Sequence, residues 1–313
     1  MALIDRKDKR ILAELDFDGR ATLSKVAKNV RSSKQLVKYR IDEMMRKGLV
    51  KQTYAHIDYF KLGYVCIQLF IKLKNVTRKK EVAIVQFVSG LKYPKNVYTM
   101  GGAWDILLQV WVKDMRELAK LIGRIHRRYG SNILRKEISI ATRFTFFGHT
   151  YIHGVEQPSV SSYLHTDVHD IRKKDMQLLK LLNQDGRMPN TQIAEKLKLS
   201  PETVRRKIKE FKKSGIIMAF RAEIDSSMLE FYHFKLFIKL RTRTIKRIET
   251  FIKYLATLEN VLYVSKSIEM SELEINIFAR DHQKFYDVVN QIKYQFPDIM
   301  ENYYWNVAFL VTN

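Results

Sequence analysis

Residues 18–50 read DGRATLSKVAKNVRSSKQLVKYRIDEMMRKGLV, and residues 185–217 read DGRMPNTQIAEKLKLSPETVRRKIKEFKKSGII. The two segments align without a gap, and the match extends over Asp8–Leu73 and Asp175–Leu240 at a constant offset of 167 positions. It ends in Phe70-Ile71-Lys72-Leu73, repeated letter for letter as Phe237-Ile238-Lys239-Leu240. Roughly a third of the aligned positions are identical and most others exchange one apolar residue for another, which marks an internal duplication. Whatever this unit does, the chain carries it twice.

Ahead of the quoted stretch, Ile11, Leu12 and Leu15 follow helical spacing, and Asp18-Gly19 breaks the chain after that helix. A second short helix carries Leu23, Val26 and Ala27. The Ser33 hydroxyl can accept from a free amide of the next turn, so it N-caps a third helix bearing Leu36, Val37, Ile41 and Met44. Gly48 stops that helix. The second copy writes the same turn as Ser200-Pro201, a capping hydroxyl before a proline whose missing N–H costs nothing in a first turn. Three short helices, a tight turn before the third and an alternating pair of short strands near Leu49–Ile57 predict a winged helix-turn-helix.

From Tyr64 the period changes. Strand-like runs over Tyr64–Leu73, Asn96–Met100, Trp104–Val112 and Ile133–Phe147 alternate with helical runs over Arg78–Leu91 and Asp114–Tyr129. The order βαββαβ is the ferredoxin-like arrangement. Downstream it recurs, with strands near Phe231–Leu240, Val261–Ser265, Leu273–Ala279 and Tyr303–Val311 and helices over Ile245–Leu258 and Asp281–Phe296. The expected fold class is α+β, with winged helices at 1–62 and 170–229 and ferredoxin-like modules at 63–147 and 230–313. Residues 148–169, with Gly154, Pro158 and a serine cluster, have no sustained period and read as a linker. A linker of about twenty residues lets the second half turn back and pack beside the first as its own dimer partner.

Fifty-six Lys+Arg against 33 Asp+Glu give a formal charge of +23 in 313 residues, which favours a polyanionic partner. The single Cys66, in an apolar run, excludes an intrachain disulfide or a thiolate zinc cage and suits a reducing cytoplasm. No stretch approaches the ~20 apolar residues of a membrane helix, and Met1–Lys7 lacks a signal-peptide core. No Walker loop, dinucleotide fingerprint, nucleophile elbow or His-Glu-x-x-His pattern occurs, so neither a cofactor nor a catalytic residue is expected. His149, His153, His165 and His169 form two pairs at four-residue spacing that a helix could turn into a chelate. No Cys or carboxylate is placed to complete a cage, so the expectation is a polar linker without metal. His126, beside Arg127-Arg128, reads as a cation at the negative end of a helix.

A helix-turn-helix reads DNA with the second helix of the pair. The outward candidates are Ser33, Lys34, Gln35, Lys38 and Tyr39 in the first copy, and Ser200, Glu202, Thr203, Arg205 and Arg206 in the second. Gln35 can pair with adenine, Arg205 or Arg206 with guanine and Glu202 with cytosine, so the two helices should prefer different half-sites of double-stranded DNA. The plain alternative is a pair of solvated faces on domains that kept the fold and lost DNA.

With these residues in view, the chain resembles the leucine-responsive regulator and asparagine-regulator (Lrp/AsnC) family of transcription regulators. The residues that carry it are Asp8, Ile11, Leu12, Leu15, Asp18-Gly19-Arg20, Ala27, Ser33, Val37, Arg40-Ile41, Gly48, Ile57-Asp58, Lys61-Leu62-Gly63, Gly102-Ala103-Trp104-Asp105 and Asp114. In the second half the resemblance is clearest over Asp175–Asp225, notably Asp185-Gly186-Arg187 and Leu199–Val204. It implies a DNA-binding winged helix followed by a RAM-type ferredoxin-like module that dimerises and, in many members, senses an amino acid. The family's effector lies near a Gly-containing loop at a module interface, and Gly101-Gly102-Ala103-Trp104-Asp105 matches that loop. Amides beside two glycines can approach a carboxylate and Asp105 could hold an ammonium group, the plain alternative being a tight hairpin with a core-facing Trp104. The second copy's Lys266–Glu272 has no glycine, so at most one effector site per chain is expected.

The reading is a cytoplasmic, non-enzymatic regulator whose single chain imitates a family dimer, with further homo-oligomers open. Lys79-Lys80, Arg241, Arg243 and Lys246-Arg247 suggest additional phosphate contacts. One alternative is a nucleoid-like architectural DNA-binding protein without effector. Another is an enzyme like the sirohaem decarboxylases, which resemble the family in architecture. Their arginine-rich, histidine-containing signature after the wing is missing here, where the chain reads Lys61-Leu62-Gly63-Tyr64-Val65-Cys66.

Overall fold

The computed structural model describes residues 4–91, 95–164, 167–241 and 244–311. In chain order, α1 (Arg6–Phe17), α2 (Leu23–Asn29), α3 (Lys34–Arg46) and β1 (Val50–Ile57) precede β2 (Val65–Leu73), α4 (Arg78–Ser89), β3 (Lys95–Gly102), β4 (Ile106–Val112), α5 (Met115–Tyr129) and β5 (Ile133–Phe146). After α6 (Thr150–His153) and β6 (Val160–Tyr163) the pattern repeats as α7 (Lys173–Gln184), α8 (Asn190–Leu197), α9 (Pro201–Lys213) and β7 (Ile217–Ile224). It closes with β8 (Tyr232–Leu240), α10 (Ile245–Leu255), β9 (Val261–Glu269), β10 (Leu273–Ala279), α11 (His282–Gln295) and β11 (Met300–Leu310). Two compact units result. One gathers residues 1–62, 147–160 and 167–231, and the other gathers 63–146, 161–166 and 232–313.

In the first unit, Ile11, Leu12 and Leu15 of α1 pack with Val26, Ala27, Val37, Ile41 and Met44. Leu178, Leu179, Leu182, Ile193, Val204, Ile208 and Phe211 are buried in the second copy. The wing differs from the expected hairpin. Val50–Ile57 contains no turn residue and stays one strand, and its backbone groups are paired instead by the other copy. β1 runs antiparallel to β7, with Tyr54 opposite Arg221 and Ala55 opposite Phe220.

The two Asp-Gly-Arg turns sit at this seam. The Gly19 amide donates to Phe220 O and the Gly186 amide to Thr53 O, both at 2.7 Å. A Cβ at Gly19 would lie 2.9 Å from the Arg221 carbonyl carbon, and one at Gly186 3.0 Å from the Tyr54 nitrogen, so neither turn has room for a side chain. Arg20 donates to Gly186 O, Met188 O and Asn190 Oδ1, while Arg187 donates to Gly19 O and Ala21 O. Each copy thus caps the other's turn.

The segment expected to be a polar linker contains α6 and β6, and two of its histidines are buried. Ile152 and Tyr151 pack into the core around α1. The His149 amide donates to Asp16 Oδ2 at 2.8 Å, and its Nδ1 lies 2.9 Å from Asp16 Oδ1. His153 Nε2 is 3.3 Å from Asp16 Oδ2, and Arg221 donates to the Asp16 carbonyl at 3.0 Å. The four-residue spacing therefore serves a buried carboxylate of α1. His169 donates its amide to Lys61 O, and His165, like Arg243, lies outside the described residues. Among the described residues no group of three His, Cys, Asp or Glu is placed to hold a metal ion.

In the second unit the two βαββαβ modules have strand orders β5-β2-β4-β3 and β11-β8-β10-β9. β3 pairs with β11 and β5 with β9, so these eight strands close on themselves, and β6 adds alongside β5. Closure leaves none of the eight with a free edge. Alternate residues of the first module, among them Ile67, Leu69, Ile106 and Leu108, pack against Ile84, Val88, Leu121 and Ile125 of its helices. On the other sheet face Phe70 meets Phe237 edge-on at 5.5 Å, beside Tyr98, Trp104 and Leu107. A charged cluster shares that face: Lys235 Nζ and Glu274 Oε1 are 2.6 Å apart at 1% exposure each, and Gln68 of the first module donates to Glu274 Oε2 at 2.6 Å. Among the described residues no helix is long and apolar enough to cross a membrane.

Candidate nucleic-acid interface

Ser33 accepts from the Leu36 amide and starts α3, whose Val37, Ile41 and Met44 are buried. That leaves Ser33, Lys34, Gln35, Lys38 and Tyr39 exposed. In α9, Ser200 accepts from the Thr203 amide and Pro201 occupies the first turn, while Val204, Ile208 and Phe211 point inward. Ser200, Glu202, Arg205 and Arg206 are exposed and Thr203 half-buried. The candidates of each copy therefore lie together on the solvent side of one helix. A buttress behind the helices was not anticipated from sequence. Arg40 of α3 reaches Asp5 and Asp8 at 2.7 and 2.8 Å, and Lys207 of α9, 167 positions on, pairs with Asp175 in the same way. The recurrence of both partners at the repeat offset was the available signal.

Three of the candidate cations of these helices are compensated. Lys38 pairs with Asp42 at 2.6 Å, Arg205 with Glu202 at 2.8 Å and Arg206 with Glu210 at 2.7 Å. The Arg205 hydrogen bonds hold the Glu202 carboxyl below the usual carboxylate range, and Glu202 raises the Arg205 guanidinium in return. For Arg205 to reach a guanine edge it must exchange Glu202 for the base, so the pair makes the cation available only to a better acceptor.

The glycine loop is tied to the barrel. Gly101 and Gly102 end β3 opposite Val307 and Asn306. Gly102 has φ +133, and a Cβ there would meet Asn306 Nδ2 at 2.9 Å. Glu269, at the same place in the second copy, also adopts a positive φ, of 83, so the loop geometry persists without glycine. Trp104 is buried against Phe70, with the Arg135 guanidinium 4.4 Å from its ring. Asp105 accepts from Lys72 at 2.8 Å and from the Leu73 amide at 2.7 Å. An effector ammonium would have to compete with Lys72 for that carboxylate.

Residues 4–51 and 171–218 each match the family described as winged helix-turn-helix DNA-binding. An uncharacterised HTH-type transcriptional regulator of Pyrococcus furiosus is 30% identical over 151 residues, covering 48% of this chain and 99% of that protein. The proline dehydrogenase transcriptional activator of Rhodobacter capsulatus is 33% identical over 39% of this chain and 79% of its own length. Regulatory protein AsnC of Haemophilus influenzae is 30% identical over 38% and 79%. Among solved structures, the siroheme decarboxylase NirDL in complex with an iron-uroporphyrin III analogue aligns with TM-score 0.65, covering 99% of this chain and 92% of its own at 13% identity, a likeness of fold. Two winged-helix matches at the repeat offset, and relatives that each span about one half, show that the chain is a tandem-duplicated member of the Lrp/AsnC family of helix-turn-helix transcription regulators.

Proposed function

We propose that the chain is a sequence-specific, non-enzymatic DNA-binding regulator in which one polypeptide does the work of a family dimer. The observation that carries this reading is the pair α3 and α9. Both bury the same apolar stripe and share the same buttress, yet they present Lys34, Gln35, Lys38 and Tyr39 on one and Glu202, Thr203, Arg205 and Arg206 on the other. Unlike helices read unlike half-sites, so the operator is asymmetric. The strand exchange of β1 with β7 supports the single-chain pairing, because it uses inside one chain the edges that two chains would otherwise share.

The test is fluorescence-anisotropy binding to the protein's own upstream DNA and to a scrambled duplex at about 150 mM salt, with and without amino acids. A preference of about a hundredfold or more supports a specific regulator, and a shift with amino acids assigns the Gly101–Asp105 loop a sensing role. Equal binding to both duplexes supports an architectural protein, and a palindromic footprint under one chain overturns the asymmetric reading.

A further inference from the structure

We infer that the outer face of α5 is a second DNA-binding surface, sequence-independent and separate from the recognition helices; the inference rests on the DNA-binding reading above. Along α5, Arg116, Lys120, Arg124 and Arg127 fall at spacings of four, four and three residues, which places them on one side of the helix, and all four are exposed. Arg116 pairs with its own N-cap, Asp114, at 2.6 Å. Lys120, Arg124 and Arg127 form no ion pair within 4.0 Å among the described residues, and only Lys120 is near enough to Asp114 for its charge to be felt there. On α3 and α9, by contrast, the exposed Lys38, Arg46, Arg205 and Arg206 each sit beside an acid one turn away, although Lys34 and Lys209 form no ion pair among the described residues. At the end of the stripe, Arg128 lies 4.9 Å from the Phe87 ring, and Lys80 of α4 lies 5.4 Å from the Tyr129 ring, extending the positive surface onto the neighbouring helix.

The duplication supplies an internal control. The offset of 167 holds through this helix, since the N-cap Asp114 corresponds to the N-cap Asp281 and buried Leu118, Leu121 and Ile125 correspond to buried Phe285, Val288 and Ile292. On the same frame Arg116, Lys120, Arg124, Arg127 and Arg128 correspond to Gln283, Asp287, Gln291, Tyr294 and Gln295. Every cation of the stripe is absent from the second copy, so a generally lysine-rich composition does not account for it. The stripe spans about 16 Å, a length over which duplex DNA presents about ten phosphate charges. No large apolar side chain is exposed between Arg116 and Arg128, which disfavours both a membrane-inserting face and a protein-binding hot spot.

The test uses the full chain with K120Q/R124Q/R127Q, its charge-retaining counterpart K120R/R124K/R127K, and Q35A/R205A in the recognition helices. Each is titrated with own and scrambled duplexes of about 60 base pairs over about 50–300 mM salt. The glutamine triple is expected to bind both duplexes about tenfold or more weakly with their ratio unchanged, and to lower the salt slope by about 2–3. The charge-retaining variant keeps wild-type binding, and Q35A/R205A loses the ratio instead. Wild-type affinity and slope in the glutamine triple overturn the inference while leaving the recognition helices in place. Failure of the wild-type chain to bind any duplex overturns the underlying reading as well. Loss of binding to anionic phosphatidylserine vesicles, with DNA binding intact, would assign the stripe to a membrane surface and overturn it too.

Discussion

Asp16 shows what a single residue does at the seam between the copies. Burial alone would push its carboxyl up, but His149, His153 and Arg221 outweigh burial and hold it well below the usual range. The second copy has Asn183 at this place, and its amide donates to Ala55 O at 3.1 Å. An amide is thus sterically acceptable there, so Asp16→Asn isolates the charge. Leaving Arg221 without its carboxylate is expected to cost about 3–5 kcal/mol, read as a lower denaturation midpoint in urea. A loss under about 1 kcal/mol would mean that packing of α6 holds this corner and the charge does little. A second residue-scale test is Gly186→Ala. Its Cβ would meet Tyr54 N at 3.0 Å and the Phe220 ring at 3.1 Å, so β1 must give way. The expected loss is about 1–3 kcal/mol, as for an overpacked site. An unchanged midpoint would show that the turn relaxes freely.

At the scale of elements, α9 offers a choice between two roles for Glu202. If the carboxylate restrains Arg205, Glu202→Ala raises affinity for all duplexes and steepens the salt slope by about 1. If it reads cytosine, the same substitution leaves affinity for scrambled DNA unchanged and relaxes selectivity at one base pair. The 2.8 Å pair favours restraint, and anisotropy against a set of single-base operator variants decides it. The elements of the two repeats were legible because helix and strand periods are local, whereas the short α6 and β6 fall in a stretch with no sustained period. The caps Ser33 and Ser200 could be read directly, and the structure uses both. What the local period cannot carry is the partner. Val50–Ile57 alternates as a strand must, yet its mate is Ile217–Ile224, far along the chain. His149 and His153 announce a shared face, but Asp16, which they face, lies 133 positions before His149. Of the candidate DNA-binding residues, exposure on one helix face followed from capping and spacing, whereas the acids that pair with Arg205, Arg206 and Lys38 became significant only once the side chains were placed.

For the whole molecule, duplication followed by divergence has concentrated polar residues where the copies meet. On the inner sheet face Gln68 and Leu107 of the first module correspond to Lys235 and Glu274 of the second, and Gln68 bonds to Glu274 across the copies. Such a seam should be acid-sensitive. His233, half-buried beside Lys235, is pushed down to about 3, chiefly by burial and then by the Lys235 charge, against the hydrogen bond its Nε2 donates to Asn276 Oδ1. His56, in the winged unit, is likewise pushed down to about 3 by burial and then by Arg221. Above about pH 6.5 both histidines are neutral whether folded or not, so they contribute no pH dependence. Below it the unfolded chain takes up protons first, and stability falls until the folded pKa is reached. At pH 5 each histidine is expected to cost up to about 2 kcal/mol relative to pH 7. Trp104, Trp111 and Trp305 are the three tryptophans, and all belong to the barrel unit, so tryptophan fluorescence follows that unit alone. Its thermal midpoint should drop by about 4–8 °C between pH 7 and pH 5. His233→Gln, which cannot titrate, should remove most of that drop. A midpoint that stays level in the wild-type barrel, or falls equally in His233→Gln, would show that the seam is not the acid-labile element.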